Sequence, residues 1–244
     1  MLEYYYIFFG ALLVCALFSG IVSGKLRSTY AAYKDMPCRS NMTGYDTARR
    51  LLVRNGVTDV SIGKVSGTLT DHYHPTKGVV NLSEGVYGNN SVAAVAIAAH
   101  EVGHVLQNKK GYFAYKLRAF LVPITNFGSY LAMPLVLIGL LLDLFVLGTQ
   151  NSSLGFTLAI IGVCLYGLST LFALVTLPVE FNASARAKKQ LQKEGILTAE
   201  ELPFAEKMLS AAALTYVAAL ATSLVYFLRF ALWVFMLFGG RRRR

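Results

Sequence analysis

Residues 100–104 read His-Glu-Val-Gly-His, residue types that at this spacing can assemble a hydrolytic metal centre. On an α-helix, positions i and i+4 lie one above the other on the same face. His100 and His104 can therefore aim two imidazole nitrogens at one tetrahedral Zn²⁺, at roughly 2.0–2.1 Å each. Glu101 lies beside the first of them, where it can take a proton from a water without being a ligand itself. Only three letters are fixed, so chance is the alternative. The context must supply a third ligand and a fold that holds it.

The motif needs a helix, and the local sequence provides one. Ser91 is placed to cap a helix running from about residue 93 to 107, and residues 92–99 are apolar throughout. Gly103 costs such a helix about 1 kcal/mol relative to Ala; close approach of another backbone at the metal is one reason for it, simple tight packing the other. Upstream, residues 45–55 repeat apolar positions at helical spacing, with Gly56 placed to end that helix. Residues 57–74 contain strand-like alternation. His74-Pro75-Thr76-Lys77-Gly78 offers a turn before Val79-Val80-Asn81-Leu82, so a short hairpin is expected.

The composition places this polar segment in a membrane protein. Of 244 residues 55% are hydrophobic, and the mean hydropathy is +0.50, too apolar for an ordinary soluble domain. Residues 4–24 carry no charge and are long enough to span. The residues before them offer Glu3 and no Lys or Arg, against a cleaved signal peptide. Lys25, Arg27, Lys34 and Arg39 follow, so the N-terminus is expected outside. Further spans are expected at 121–148 and 154–178, joined by an uncharged turn at 149–153. A fourth apolar stretch, 211–238, contains Arg229 and is followed by four arginines at 241–244. It either crosses or ends at the inner interface. The expected division is thus 4–24, 25–118 with the metal helix, 121–148, 154–178, 179–210, 211–238 and a basic tail at 239–244. A net charge of +10 raises nucleic acid as a partner, but the basic residues cluster beside the spans, where topology and anionic headgroups explain them. Cys15, Cys38 and Cys164 lack CxxC spacing and give neither a disulfide framework nor a thiolate metal site.

A catalytic zinc usually takes three protein ligands. The chain has four histidines, so a carboxylate is the expected third. Glu180 stands just beyond the third span, in Leu177-Pro178-Val179-Glu180-Phe181-Asn182. Two crossings separate it from His104, and only an even number brings it back to the same side. A solvated charge at a membrane boundary is its alternative role. Asp143 would be the ligand of an intramembrane enzyme. The apolar run before His100 is too short to span, and the charge rule puts Asp143 near the outer end, where helix pairing or an interfacial position suits it better.

At nearly full length the chain resembles the YugP-type neutral zinc metallopeptidases of bacterial membranes. The residues that carry the resemblance are His100-Glu101-Val102-Gly103-His104, Asp71-His72-Tyr73-His74-Pro75, Val179-Glu180-Phe181-Asn182-Ala183-Ser184 and Ala211-Ala212-Ala213-Leu214-Thr215-Tyr216-Val217-Ala218. More distantly it is similar to HtpX-type gluzincins, in which two helical histidines and a Glu from a following helix bind zinc. The resemblance implies a peptidase domain facing the cytoplasm and a part in membrane protein turnover. Two departures stand out. HtpX-type enzymes carry Asp where this chain has Ser184, and the YugP-type pattern tends to Asp where this chain has His74 and Asn182. Carboxylates that orient ligand histidines must then come from elsewhere or be weaker here.

If residues 72–74 form a strand, His72 and His74 share one face and Tyr73 the other. Either this stretch lines the cleft and meets the oxyanion of a tetrahedral intermediate, or it is an ordinary polar turn entry. Arg186 and Tyr216 are further oxyanion candidates, with packing as the alternative for Tyr216. The expectation is an α+β integral membrane protein: mainly helical, with three to four transmembrane helices and a zincin-like metallopeptidase domain holding a small β-hairpin or sheet. One Zn²⁺ on His100, His104 and Glu180, with Glu101 as base, would hydrolyse proteins or peptides at the cytoplasmic face of a bacterial-type cell membrane. An exposed strand beside the metal helix would bind the peptide by β-augmentation. Expected partners are that substrate and the lipid bilayer, not nucleic acid. The rival is a catalytically silent, metal-stabilised scaffold or chaperone, and Glu101 discriminates, since a structural site needs ligands but no base. A metal transporter fits less well, because the histidines lie outside the spans.

Overall fold

Apolar runs become four long helices, and the polar residues between them form a small mixed layer of helices and strands. The computed structural model describes residues 2–142 and 153–239. Asp143, the turn at 149–152 and the arginine tail at 241–244 lie outside the described residues. In chain order the elements are α1 (Leu2–Tyr33), α2 (Gly44–Arg54), β1 (Ser61–Val65), β2 (His72–His74), β3 (Val79–Ser83), α3 (Glu84–Tyr87), α4 (Val92–Lys109), α5 (Phe113–Leu141), α6 (Ser153–Lys193) and α7 (Leu202–Gly239). Helices α1, α5, α6 and α7 are each long and apolar enough to cross a membrane. The protein is a mainly helical α+β membrane protein.

One compact unit comprises Met1–Ser19, Leu117–Thr176 and Tyr216–Arg244. Its outward side chains are apolar, with Ile7, Phe9, Val14, Phe127, Tyr130 and Phe235 all more than half exposed, as lipid contact requires. With no water to drive helices together, close packing of small residues must do it. A Cβ on Gly162 of α6 would come within 2.6 Å of the Ala132 carbonyl oxygen of α5. Between α6 and α7, the Thr170 and Ser223 hydroxyls pair at 2.9 Å. Helix α7 runs unbroken through Arg229.

The second unit comprises Gly20–Lys116 and Leu177–Thr215, and α4 is its central element. The first eight residues of α4 are all buried, surrounded by Leu51 and Leu52 of α2, Val80 and Leu82 of β3, Leu191 of α6 and Met208 of α7. Local sequence fixes the ends of these elements. Thr43 and Asp46 form a reciprocal capping box on α2, and Gly56, at φ +69°, takes the left-handed position that terminates it. Ser91 caps α4, its side chain accepting from the Ala94 amide at 3.2 Å. The sheet has the order β1-β3-β2. Strands β2 and β3 are the antiparallel pair that the turn at 75–78 joins. Strand β1 adds in parallel on the far side of β3, which leaves β2 as a free edge.

Candidate metal centre

The buried face of α4 presents His100 and His104 with ring centroids 4.7 Å apart and planes at 87°. Helix α6 meets α4 at Gly103. A Cβ there would lie 2.7 Å from the Ala183 carbonyl oxygen, closer than real carbon contacts allow, so the missing side chain is what admits the second backbone. Ala183 follows Glu180 by three residues on the same helix. The close approach that Gly103 permits is therefore also what delivers Glu180. Its Oε2 sits 3.2 Å from His100 Nε2 and 3.5 Å from His104 Nε2. The donor atoms of these three side chains all lie within 4.8 Å of one another.

Two imidazole nitrogens and one carboxylate oxygen are a donor set that suits zinc and leaves a fourth position open. The charge balance also calls for a cation. Glu180 is 2% exposed and Glu101 7%, and the ion pairs Glu180 makes are with the two imidazoles. Among the described residues the Glu101 carboxylate makes no hydrogen bond or ion pair. Burial pushes the Glu101 carboxyl up, against the pull of the two imidazoles. Burial opposes charge on His104 as well, yet the hydrogen bond to Glu180 and the nearby Glu101 outweigh it and hold His104 above its ordinary value. Such surroundings draw positive charge inward. The residues present fit a zinc ion.

The imidazole nitrogens that face away from Glu180 are also engaged. Ser184 Oγ lies 3.2 Å from His100 Nδ1, and Gln107 Oε1 lies 3.0 Å from His104 Nδ1. A hydroxyl and an amide thus stand where carboxylates orient ligand histidines in many zinc sites. Sequence reasoning did not single out Gln107, although its place at i+3 from His104, on the face that carries both histidines, was a usable signal. Tyr115, buried with its ring 6.3 Å from that of His104, was missed too; it starts a different helix.

The hydrogen bonds of His72, Tyr73, His74 and Arg186 go to groups other than the three donors. His72 takes its hydrogen bonds from the sheet: Nδ1 is 2.9 Å from the Thr70 carbonyl oxygen and Nε2 is 3.1 Å from Asn81 Nδ2. His74 Nδ1 accepts from the Lys77 amide in the turn. Tyr73 faces the other way, and its hydroxyl accepts from Asn108 Nδ2 at 3.1 Å, which fastens β2 to the end of α4. Arg186 Nε donates to Asn182 Oδ1 at 2.7 Å, and its guanidinium lies 6.0 Å above the Tyr112 ring. Tyr216 begins the last segment of the other unit.

Gly103→Ala isolates the role of the close approach. Ala is intrinsically better in a helix by about 1 kcal/mol, but the new methyl meets a backbone carbonyl that cannot step aside, and overpacking of this kind costs roughly 1–3 kcal/mol. The expected result is a lower melting temperature with reduced zinc content, because α6 and Glu180 move outward together. Wild-type zinc content in this variant would show that the spacing at Gly103 does not matter to the centre.

Comparison with known proteins gives two matches. The family described as "Putative neutral zinc metallopeptidase" matches residues 6–235. The chain is 46% identical over 208 residues to "Putative membrane protease YugP" of Bacillus subtilis (strain 168), a span of 85% of this chain and 88% of that protein. No solved structure matches.

Proposed function

Because the chain belongs to this neutral zinc metallopeptidase family, we propose that His100, His104 and Glu180 hold one zinc ion and Glu101 acts as general base in a gluzincin-type endopeptidase. The supporting observation is the convergence of three donor atoms beside a buried carboxylate that has no other partner among the described residues. Zinc, when bound, supplies Lewis acidity, lowering the pKa of a water to about 7 and polarising the scissile carbonyl. Glu101 takes the proton of the attacking water and hands it to the leaving amine. Ser184 and Gln107 keep the imidazoles facing inward.

The substrate is an extended segment of a membrane or membrane-associated protein. Strand β2 is one of the two edge strands of its sheet, and the one fastened to the metal helix through Tyr73 and Asn108. A peptide adding to that edge would run beside the site, its backbone supplying the hydrogen bonds. The silent-scaffold alternative leaves Glu101 unexplained. Zinc analysis and peptide cleavage by the detergent-purified protein test the reading together; zinc-loaded, folded protein that cleaves nothing would favour the scaffold.

The same reading has the active site at the cytoplasmic face. Lys25, Arg27, Lys34 and Arg39 follow the first span, and Lys116 and Arg118 stand at the start of the second, as the positive-inside rule expects. Arg229 at mid-bilayer would cost about 2.5–3.5 kcal/mol, so α7 is expected to end at the inner face. Single cysteines, Val60→Cys and Gly240→Cys, in a cysteine-free protein give the test. Neither is expected to react with an impermeant reagent in intact cells. Labelling at position 60 would overturn the cytoplasmic assignment, and labelling at 240 alone would make α7 a complete crossing.

A further inference from the structure

The hydrogen bonds behind His104 decide which of its nitrogens carries the hydrogen. Gln107 is fully buried, at 0% exposed. Its Nε2 lies 2.7 Å from the Val179 carbonyl oxygen and 3.1 Å from Asn182 Oδ1. A backbone carbonyl only accepts, so the amide atom facing it must be the nitrogen. Arg186 Nε, which only donates, sits 2.7 Å from Asn182 Oδ1 and fixes that atom as oxygen in the same way. Each hydrogen of Gln107 Nε2 then has an acceptor. What remains of the amide is Oε1, an acceptor, 3.0 Å from His104 Nδ1. His104 must donate from Nδ1. In the neutral imidazole, the ligand form, its Nε2, the nitrogen that faces Glu180 at 3.5 Å, then carries the lone pair.

We propose that Gln107, anchored by Val179, Asn182 and Arg186, is the positioning residue that keeps His104 in the tautomer and rotamer able to bind zinc. The proposal rests on His104 being a zinc ligand. His100 is held differently, since the Ser184 hydroxyl at its Nδ1 can donate or accept and so imposes no tautomer. The network also accounts for Asn182: two donors converge on one oxygen, and a neutral carbonyl serves them. Because Val179 immediately precedes Glu180, the same amide ties α4 to the segment of α6 that carries the carboxylate ligand. Arg186 is thereby assigned to orientation of the site rather than to the oxyanion.

The test uses the full-length protein in detergent and reads zinc affinity by chelator competition. Gln107→Leu keeps the volume and removes both roles; zinc affinity should fall about 10–100-fold, the usual effect of losing a group that orients a ligand. Asn182→Leu should weaken zinc less. Asn182→Asp, which still accepts from both donors, should keep wild-type affinity. In the Gln107→Leu background Asn182→Leu should cost nothing more, because it acts through the residue already removed. A merely structural role would give additive losses without rescue by Asp, and that pattern overturns the proposal, as does wild-type affinity in Gln107→Leu. If Gln107→Leu does not fold, ¹⁵N spectra of the zinc-free protein, at a pH where the imidazole is neutral and with His104 assigned through His104→Ala, decide the matter. A hydrogen on Nδ1 supports the proposal and a hydrogen on Nε2 overturns it. Zinc retention by His104→Ala would instead bring down the metal assignment itself. Zinc loss in His104→Ala with none in Gln107→Leu would remove this inference alone.

Discussion

Glu101→Gln is expected to keep zinc at wild-type stoichiometry while peptide cleavage falls by about 10²–10⁴-fold, the typical contribution of a general base. The amide has the shape of the carboxylate but cannot accept the water's proton. Its effect on stability should run the other way. Glu101 is 7% exposed and carries no hydrogen bond or ion pair among the described residues, so a charged carboxylate there is stabilised only by its neighbours' fields. Replacing it by a neutral group should leave the melting temperature of the zinc-free protein unchanged or raise it, the usual sign of a residue retained for function at a cost in stability. Steady-state kcat/KM on a fluorogenic peptide, together with elemental analysis, checks both halves. Cleavage at the wild-type rate would end the role given to Glu101.

The three side chains that converge here are legible in the sequence because their constraints are local or discrete. The spacing of His100 and His104 follows from helix geometry. Glu180 is the carboxylate just beyond the third span, and counting crossings, which needs no coordinates, is an independent check on it. The orienting residues were not readable, because they depend on where two helices cross. Gln107 meets Val179 and Asn182 across more than seventy residues of sequence, and nothing on α4 alone says which side chain of α6 will stand opposite. Gly103 shows the same limit. Its cost in the helix signalled a reason, and the Ala183 backbone against it gives both readings at once, tight packing and delivery of a ligand.

The sheet divides in the same way. The β2–β3 hairpin follows from Pro75 and Gly78 in the turn, whereas the parallel pairing of β1 with β3 has no local mark. His72 and His74 alternate as a strand should, but alternation could not say that the sheet itself would occupy His72. The apolar stretches located the long helices and not their ends. Helix α6 runs to Lys193, well beyond its apolar part, because Ala187 and Leu191 continue a buried stripe that hydropathy averaged over a span does not register.

Glu180→Ala should weaken zinc binding severely. Glu180 Oε2 is the atom that both Nε2 nitrogens face, and at 2% exposed its carboxylate has no easy substitute in water. Structural zinc sites gain about 10–16 kcal/mol from four protein ligands, so one ligand accounts for about 2.5–4 kcal/mol, roughly 10²–10³-fold in Kd. Removing it also takes away the carboxylate oxygen that both imidazoles face. Glu180→Gln is the companion variant, because it keeps the volume and one oxygen but not the charge, and its affinity should fall between those of Glu180→Ala and the wild type. Comparing melting temperatures with and without zinc separates ligand loss from misfolding: the variants should lose the zinc-dependent part of the stability and keep most of the remainder. Full zinc occupancy in folded Glu180→Ala would take Glu180 out of the centre and turn the search for the third ligand to Asp143.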